Sequence, residues 1–395
     1  MPVVTETYRA GSVREAAGGI AALALATFAA ITTELLPVGV LPQISDDLEV
    51  SRSVAGLLVT VYALMVAALA IPLTLATRRL PRKPLLLGTL AAYTLSNVLV
   101  ALAPAFAVVA AARALGGIAH AVFFSVAIGY GSRLVAPLYM GRALALVTAG
   151  GSAGFVLGVP LCTALGAAVG WRAAFVALAV ACAVALGLVA AFLPAVTTGA
   201  APAAGAARRA NRARLGVVST ANALTFLGQY TVYTYVALLL LATGLSRAAV
   251  GPALLVLGAL GLIGTAYAAT ALDRHPRRGT VVVLATVALG LLGLGMLFPS
   301  RLGVLVAAAV WTAGFGAVAS VFQTAAIRTS GASPDVIGAL VNSTANIGIG
   351  GGAALGAWVL AGFGLDAVPF WGAAIVGLAL AVVLAARRAF PVKPG

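Results

Sequence analysis

The chain has 395 residues, of which 62% are hydrophobic and only 8% charged, with a formal net charge of +15 and a mean hydropathy of +1.12. Soluble domains carry about 25% charged residues, so this composition excludes a soluble fold, whose surface would leave too much apolar area facing water. In lipid only helices and closed barrels satisfy their backbone polar groups, and the long, continuous apolar runs exclude the short alternating strands of a barrel. We therefore predict an all-α polytopic membrane protein.

Twelve apolar segments reach the length of about 20 residues that a membrane span requires. They lie at 18–43, 53–76, 84–103, 105–132, 141–168, 171–194, 215–242, 248–271, 280–298, 302–327, 334–362 and 367–386. Residues 1–17 are polar and lead directly into a span that is too long for the apolar core of a signal peptide. No cleavable signal is expected.

The basic residues fall almost entirely on one side of these twelve spans. If the N-terminus is cytoplasmic, 19 Lys and Arg residues are cytoplasmic and four are external, the external ones being Arg52, Arg172, Arg247 and Arg301. The positive-inside rule therefore places both termini in the cytoplasm. The net charge is explained by topology, so we do not expect nucleic acid as a partner. The excess of arginine over lysine, 22 to 2, is typical of a GC-rich bacterial genome.

Two halves of the chain repeat each other. RRLPRK at 78–83 and DRHPRR at 273–278 superpose at an offset of 195 residues, and each follows the second span of its half. We predict an N-terminal tail (1–17), a six-helix bundle (18–194), a cytoplasmic linker rich in Ala, Gly and Arg (195–214), a second six-helix bundle (215–386) and a C-terminal tail (387–395). Parallel repeats of this kind place the substrate site at the repeat interface near the membrane midplane.

Four stretches carry a resemblance to a known family. Residues 79–83, which read Arg-Leu-Pro-Arg-Lys, are similar to the end of the loop between helices 2 and 3 of the major facilitator superfamily, although Arg78 stands in place of the usual acid. TELLPVGVLPQISDDLEVS (33–51), RALGGIAHAVFF (113–124) and GGSAGFVLGVPLCTALGAAVGWRAAF (150–175) resemble motifs of its twelve-helix drug:proton antiporter branch, including sugar and drug efflux members.

The resemblance implies a fold of two bundles in which helices 1, 4, 7 and 10 line a central cavity, and it implies export driven by protons. For the two repeated loops it implies a role in conformational gating. The matching residues are Arg79, Arg82, Lys83, Asp273 and Arg274. The acid missing from the first loop argues against a full gating role there.

Glu34 is the acidic residue that lies well inside a span, and Arg113 is its basic counterpart. Each is about 12–13 Å from the outer end of its span at 1.5 Å per residue. Because an ionisable group in hydrocarbon is costly, it marks a functional site by default. We expect Glu34 and Arg113 to form, or to exchange in and out of, an ion pair that couples transport to protons. The alternative is a static pair that only joins helix 1 to helix 4.

Further polar and aromatic residues are candidates for binding the substrate. His120 lies seven residues after Arg113 and therefore on the same helix face, where it binds substrate, relays protons or only hydrogen-bonds between helices. The other candidates lie in the second half and are Asn222, Phe226, Gln229, Tyr233, Trp311, Phe315, Asn342 and Asn346. Interhelical hydrogen bonding or packing is an equal alternative for each of them.

Gly150, Gly154 and Gly158 form a stripe of small residues, which Gly348, Gly352 and Gly356 repeat near the end of the chain. Such stripes allow helices to approach closely, so we expect these helices to pack at the interface that moves, with a kink at Pro160. Packing without motion is the alternative.

The preferred function is export of a small drug, sugar or nucleoside-like solute in exchange for protons, by alternating access, across a bacterial inner membrane. The partners are the bilayer, the solute and protons, and we expect a monomer. An importer by proton symport and a membrane sensor or scaffold without transport remain alternatives. With two His, two Cys and no cluster of carboxylates, we expect no cofactor, no metal site and no enzymatic centre.

Overall fold

The structure, a computed structural model, describes residues 12–390 apart from 78–79, 132–133, 137–138, 195–208 and 333. Within these residues twelve helices are long and apolar enough to cross a membrane. Nine run unbroken: α1 (Ala17–Asp47), α2 (Arg52–Thr77), α3 (Arg82–Ala101), α4 (Phe106–Gly131), α6 (Trp171–Phe192), α8 (Arg247–Arg274), α9 (Pro276–Leu297), α11 (Pro334–Phe363) and α12 (Val368–Ala385). The other three consist of two segments each: α5 (Met140–Ala153 and Val159–Val169), α7 (Arg209–Tyr233 and Val236–Ala242) and α10 (Arg301–Phe315 and Val318–Arg328).

Each predicted span coincides with one of these helices, which confirms the all-α architecture. The largest differences lie at helix ends. The first helix continues to Asp47, and α7 begins at Arg209, inside the predicted linker 195–214. The sequence RANRAR is rich in good helix formers, so the helix extends past the apolar segment. Residues 195–208 of the linker, together with residues 1–11 and 391–395 of the predicted tails, lie outside the described residues.

The interruption of α5 is a π-helical turn at Gly154–Gly158. It ends two residues before Pro160, which occupies the first turn of the next α-helical segment. Proline has no amide hydrogen to donate and its ring collides with the preceding turn, and a widened turn is a known way to accommodate such a mismatch. The irregularity predicted at Pro160 therefore takes the form of a π turn.

The interruption of α10 follows Phe315. The carbonyl of Gly316 accepts a hydrogen bond from Thr265 Oγ1 at 2.9 Å. A Cβ atom at residue 316 would lie 1.8 Å from the carbonyl oxygen of Gly261, so only glycine permits this approach of α10 to α8. Discontinuous helices of this kind are common where transporters hold their cargo.

The chain divides into two compact units, one of residues 1–36 and 68–202 and one of residues 37–67 and 203–395. In the first unit α3 packs on α4 and α6, and in the second α7 packs on α11 and α12 while α9 packs on α10 and α12. The boundary within α1 falls between Leu36 and Pro37. The division into bundles 18–194 and 215–386 stays a prediction.

The two glycine stripes each join helices of one unit. In the first unit a Cβ atom at Gly154 would lie 2.6 Å from the carbonyl oxygen of Phe28 on α1. In the second, a Cβ atom at Gly352 would lie 2.4 Å from the carbonyl oxygen of Leu227 on α7. Helices α5 and α1 therefore repeat the relation of α11 and α7, and in both pairs backbone meets backbone.

Candidate functional site

The first unit brings together three predicted site residues, Glu34 of α1 and Arg113 and His120 of α4, each at most 5% exposed. Nη1 of Arg113 donates to the backbone oxygen of Thr33 at 2.5 Å, and Nη2 donates to the backbone oxygen of Glu34 at 2.6 Å. Oε2 of Glu34 lies 3.8 Å from Nε2 of His120. The predicted ion pair between the Glu34 and Arg113 side chains stays a prediction, while His120 is the neighbour of the carboxyl group.

The local sequence explains why Arg113 binds the backbone of α1. Pro37 stands four residues after Thr33 inside the helix, and proline has no N–H group to donate to the carbonyl of residue 33. That carbonyl is buried, and a buried acceptor without a partner is costly. The guanidinium of Arg113 supplies the missing donor and fixes α4 against the irregular turn of α1.

Polar residues that the sequence did not single out extend this cluster. Nδ2 of Asn97 on α3 donates to Oγ1 of Thr33 at 3.0 Å and lies 3.7 Å from Sγ of Cys182 on α6. His120 is flanked by the rings of Phe124, at a centroid distance of 4.8 Å, and Tyr93, at 6.3 Å. The sequence signal that could have identified Thr33 and Asn97 is that each is a polar residue within an apolar run.

The second unit gathers the other predicted binding residues around α7 and α10. Nε1 of Trp311 on α10 donates to Oε1 of Gln229 on α7 at 2.5 Å, so these two residues form a hydrogen bond between the helices. The Trp311 ring also contacts Tyr233 edge to face at 6.1 Å, and Phe226 meets Phe315 in the same way at 5.6 Å. Tyr230, which is not among the predicted binding residues, stacks on Phe226 at a centroid distance of 6.3 Å.

One asparagine, Asn222 of α7, is bonded to α11, and two further predicted asparagines, Asn342 and Asn346, lie on α11 itself. Nδ2 of Asn222 donates to the backbone oxygen of Val341 and to Oγ1 of Thr344, both at 2.9 Å. Nδ2 of Asn346 donates to the backbone oxygen of Asn342 at 3.1 Å. The side-chain oxygens of Asn222 and Asn346 are buried and have no hydrogen-bond partner among the described residues.

The cationic residues of the two repeated loops hold the ends of helices. Nζ of Lys83 donates to the backbone oxygens of Ala190 at 2.8 Å and Leu193 at 2.5 Å, at the end of α6. Nη2 of Arg277 donates to the backbone oxygen of Leu384 at 2.6 Å, at the end of α12. Such contacts satisfy carbonyls that a helix terminus leaves unpaired.

The remaining gating candidates are less informative. Arg82 is the first residue of α3. Arg79 and the side chains of Asp273 and Arg274 lie outside the described residues. Across the described part of the chain, no group of three or more His, Cys, Asp or Glu side chains is placed to hold a metal ion.

Comparison with known proteins places this chain in a family. The sequence profile of the Major Facilitator Superfamily matches residues 23–341. A chloramphenicol efflux pump of Mycobacterium tuberculosis is 33% identical over 348 residues, covering 85% of this chain and 84% of the relative. A Pseudomonas aeruginosa protein named a transcription regulatory protein is 34% identical over 288 residues, covering 70% of this chain and 71% of its own.

The crystal structure of a D-xylose–proton symporter shares the fold, with a TM-score of 0.73 at 15% identity over 95% of this chain and 98% of that one. The predicted twelve-helix architecture and the family resemblance are thereby confirmed. The chain belongs to the Major Facilitator Superfamily, whose members are multi-pass membrane transporters and not enzymes.

Proposed function

We propose that this protein exports a small organic solute in exchange for protons, by alternating access, across a bacterial cytoplasmic membrane in which both termini face the cytoplasm. The observation that carries the proposal is the buried carboxyl group of Glu34, 3.8 Å from His120. A carboxyl group taken out of water needs either a proton or a charged partner. Its occupancy by a proton is therefore sensitive to any change in its surroundings.

The coupling step follows from this arrangement. Arg113 is held by the backbone oxygens of Thr33 and Glu34, so its positive charge remains beside α1. The proton is then exchanged between Glu34, His120 and whichever aqueous face reaches them. Binding of solute alters the hydration of the carboxyl group, and two ligands that change each other's affinity are coupled by the same free energy in both directions.

Export as the direction of transport is supported by the efflux-type motifs in residues 33–51 and 150–175 and by the relative from M. tuberculosis, which is named a chloramphenicol efflux pump. Chloramphenicol is a suitable first cargo to test, because it is small, uncharged and aromatic. Sugar-like or nucleoside-like solutes belong in the same assay.

The decisive experiment measures solute movement in proteoliposomes under an imposed pH gradient. Glu34→Gln keeps the size of the side chain but removes its exchangeable proton, so gradient-driven accumulation should fall at least tenfold. Exchange of labelled for unlabelled solute without a gradient should continue. Thr163→Val is a matched control, since the Thr163 hydroxyl donates only to the backbone oxygen of Val159 on its own helix. Unchanged coupled transport in Glu34→Gln would eliminate the proton-carrier role.

The same vesicles test the alternative of import by proton symport. A buried carboxyl group would also serve a symporter, and one protein of the same fold is named a D-xylose–proton symporter. With the interior acidic, an antiporter accumulates the solute inside, whereas a symporter accumulates it only when the exterior is acidic. The sign of the gradient that drives uptake decides between the two.

A sensor without transport is the alternative from another class, and it is favoured by the relative named a transcription regulatory protein. Such a protein would bind a solute without moving it. If purified protein binds solute but neither exchanges it nor accumulates it under a gradient of either sign, the protein is a sensor and the proposal of export is wrong.

A further inference from the structure

A small open cavity lies within the second unit, where the end of α8, the start of α9 and the end of α10 meet the residues that follow α12. Two of its lining residues are cations, Arg277 in the first turn of α9 and Arg328 at the end of α10. The other described residues that line it are uncharged, and none of them is an acid. The cavity therefore holds two positive charges without a counter-charge from its own walls.

The guanidinium of Arg328 is only partly satisfied. Its Nη2 donates to the backbone oxygen of Leu272 at 3.1 Å, whereas its Nη1 is buried and has no hydrogen-bond partner among the described residues. A guanidinium nitrogen donates and does not accept. A buried donor without an acceptor is costly, and more so when the group is charged, so this nitrogen calls for an acceptor in the cavity.

Arg277 brings the second positive charge to the same cavity. Its Nη1 and Nη2 donate to backbone oxygens at and after the end of α12, and these neutral acceptors leave its charge uncompensated. Like charges that share a cavity repel each other, and an anion placed with them removes that cost. The hydroxyl group of Thr324, which also lines the cavity, is a further donor for such an anion.

The surroundings of the cavity combine apolar and basic side chains, as at a membrane surface. Ile327, next to Arg328, and Val282 on α9 are 48% and 46% exposed, and such apolar exposure is stable where lipid covers it. The basic loop 273–278 is predicted to be cytoplasmic. The phosphate groups of lipids lie at this level, and basic pockets between helices at this face bind anionic head groups.

We propose that this cavity binds a phosphate group, which in the membrane belongs to an anionic phospholipid. One phosphate oxygen accepts from Nη1 of Arg328 and another from the hydroxyl of Thr324, while the acyl chains extend past Ile327. The cavity is too small to enclose a whole solute, so its ligand is not the transported molecule. The bound lipid joins the ends of α8, α9 and α10 to one another, and this role is independent of the proposed export.

Native mass spectrometry of the full chain, with phosphatidylglycerol and phosphatidylcholine added at equal concentration, tests the proposal. Both lipids contain a phosphate, but only phosphatidylglycerol has a net negative charge, and wild-type protein should retain it preferentially. Arg328→Gln should lower the affinity for phosphatidylglycerol about tenfold, because a charged hydrogen bond is lost. Arg278→Gln is the matched control: its side chain is exposed and does not line the cavity, so the affinity should stay the same.

Two further variants separate binding from folding. Thr324→Val keeps the shape of the side chain and every charge, and it should weaken the binding of phosphatidylglycerol about two- to fivefold. Arg328→Lys keeps the charge and should retain more binding than Arg328→Gln. Thermal unfolding in detergent shows whether each variant is folded, and added phosphatidylglycerol should raise the melting temperature of wild-type protein more than that of Arg328→Gln. If Arg328→Gln does not fold, Thr324→Val carries the test.

A soluble competitor, glycerol 1-phosphate, distinguishes the two sources of a phosphate group. Displacement of phosphatidylglycerol by an equal concentration of glycerol 1-phosphate would assign the site to a soluble phosphate, and retention of the lipid against a large excess would assign it to the membrane.

Three outcomes would overturn the proposal. The first is equal retention of the two lipids by wild-type protein, and the second is equal loss of phosphatidylglycerol in Arg328→Gln and Arg278→Gln. The third is unchanged binding in Arg328→Gln and Thr324→Val, which is the result expected if a carboxylate of the chain fills the cavity. Asp273 and Asp335, whose side chains lie outside the described residues, are the acids nearest in sequence. Because no transport is measured, failure of the export proposal would leave these results intact.

Discussion

The guanidinium of Arg113 replaces a hydrogen bond that Pro37 removes from α1. A proline inside a helix leaves the carbonyl four residues before it without an intrahelical donor, and here that carbonyl belongs to Thr33. Arg113 approaches it to 2.5 Å and is only 1% exposed. The two residues therefore act as one structural element, although 76 positions separate them in the sequence.

This relation predicts a specific coupling between two substitutions. Arg113→Met leaves the Thr33 carbonyl buried without that donor, which should cost about 1–3 kcal/mol of stability. Pro37→Ala restores a backbone N–H that can reach the same carbonyl. In the Pro37→Ala background the cost of Arg113→Met should therefore fall by about 1 kcal/mol, as measured by thermal unfolding in detergent.

Arg172→Met serves as the control for that cycle. Arg172 also donates to a backbone oxygen, that of Ala103 at 3.1 Å, but the acceptor is remote from Pro37. Its effect should be the same with and without Pro37. If Arg113→Met and Pro37→Ala destabilise the protein additively, the two residues do not share the carbonyl.

The sequence predicts which polar side chains lie inside membrane spans more readily than it predicts which residues they contact. Glu34, Arg113 and His120 stand out because charged or titratable groups are rare in apolar spans, and the depths expected from the sequence place Glu34 and Arg113 at one level. That Arg113 binds backbone, and that Asn97 joins through Thr33, depends on how α3 and α4 lie against α1. The periodicity of one helix carries no information about the rotation of its neighbour.

At the scale of helices, close packing in each unit depends on glycine. The stripe on α11 faces α7, and a Cβ atom at residue 352 would lie 2.4 Å from the oxygen of Leu227 and 2.9 Å from the amide nitrogen of Thr231. Because both obstacles are backbone atoms, no rotation of a side chain relieves the contact. The spacing of the glycines predicted the stripe, but the sequence did not predict which helix the stripe faces.

Gly352→Ala should therefore force α11 away from α7 and lower stability by about 1–3 kcal/mol, the usual cost of overpacking. Gly362→Ala on the same helix is the matched control, because a Cβ atom there meets nothing within 4 Å. Alanine is the better helix former, so the control should be neutral or slightly stabilising. Thermal unfolding of the two variants in one detergent measures the difference, and equal effects would show that the contact does not limit packing.

The basic loops provide a second test at this scale. Arg277 donates to the oxygens of Leu384 and Phe390 at the end of α12, whereas its neighbour Arg278 is exposed. A partly exposed cation at a helix C-terminus contributes about 0.3–1 kcal/mol. Arg277→Gln should therefore speed amide hydrogen exchange near residues 381–390 about two- to fivefold.

Arg278→Gln removes the same charge from the same turn, and it should leave that exchange unchanged. If both variants accelerate exchange alike, the effect comes from net charge and not from the hydrogen bonds of Arg277. Lys83 holds the end of α6 in a similar way, although at the offset of 195 residues its counterpart is Arg278 and not Arg277. This repeat was visible in the sequence, while its acceptors were not.

At the scale of the whole molecule, composition decides the fold class and charge decides the expected orientation. Large apolar side chains such as Leu161, Val180 and Leu289 are more than half exposed, which is stable only where lipid and not water surrounds them. The twelve spans were readable because each is a long apolar run. The breaks in α7 and α10 were not, since the runs 215–242 and 302–327 contain no proline and continue across them.

The predicted orientation leads to a direct experiment, because the chain has only two cysteines, Cys162 and Cys182. After both are changed to Ser, one new cysteine is placed at an exposed position, either Arg388→Cys after α12 or Asp366→Cys between α11 and α12. The basic residues predict that position 388 is cytoplasmic and position 366 external. A membrane-impermeant maleimide added to intact spheroplasts should label only Asp366→Cys, and lysis should expose Arg388→Cys. Labelling of Arg388→Cys in intact spheroplasts would reverse the predicted topology.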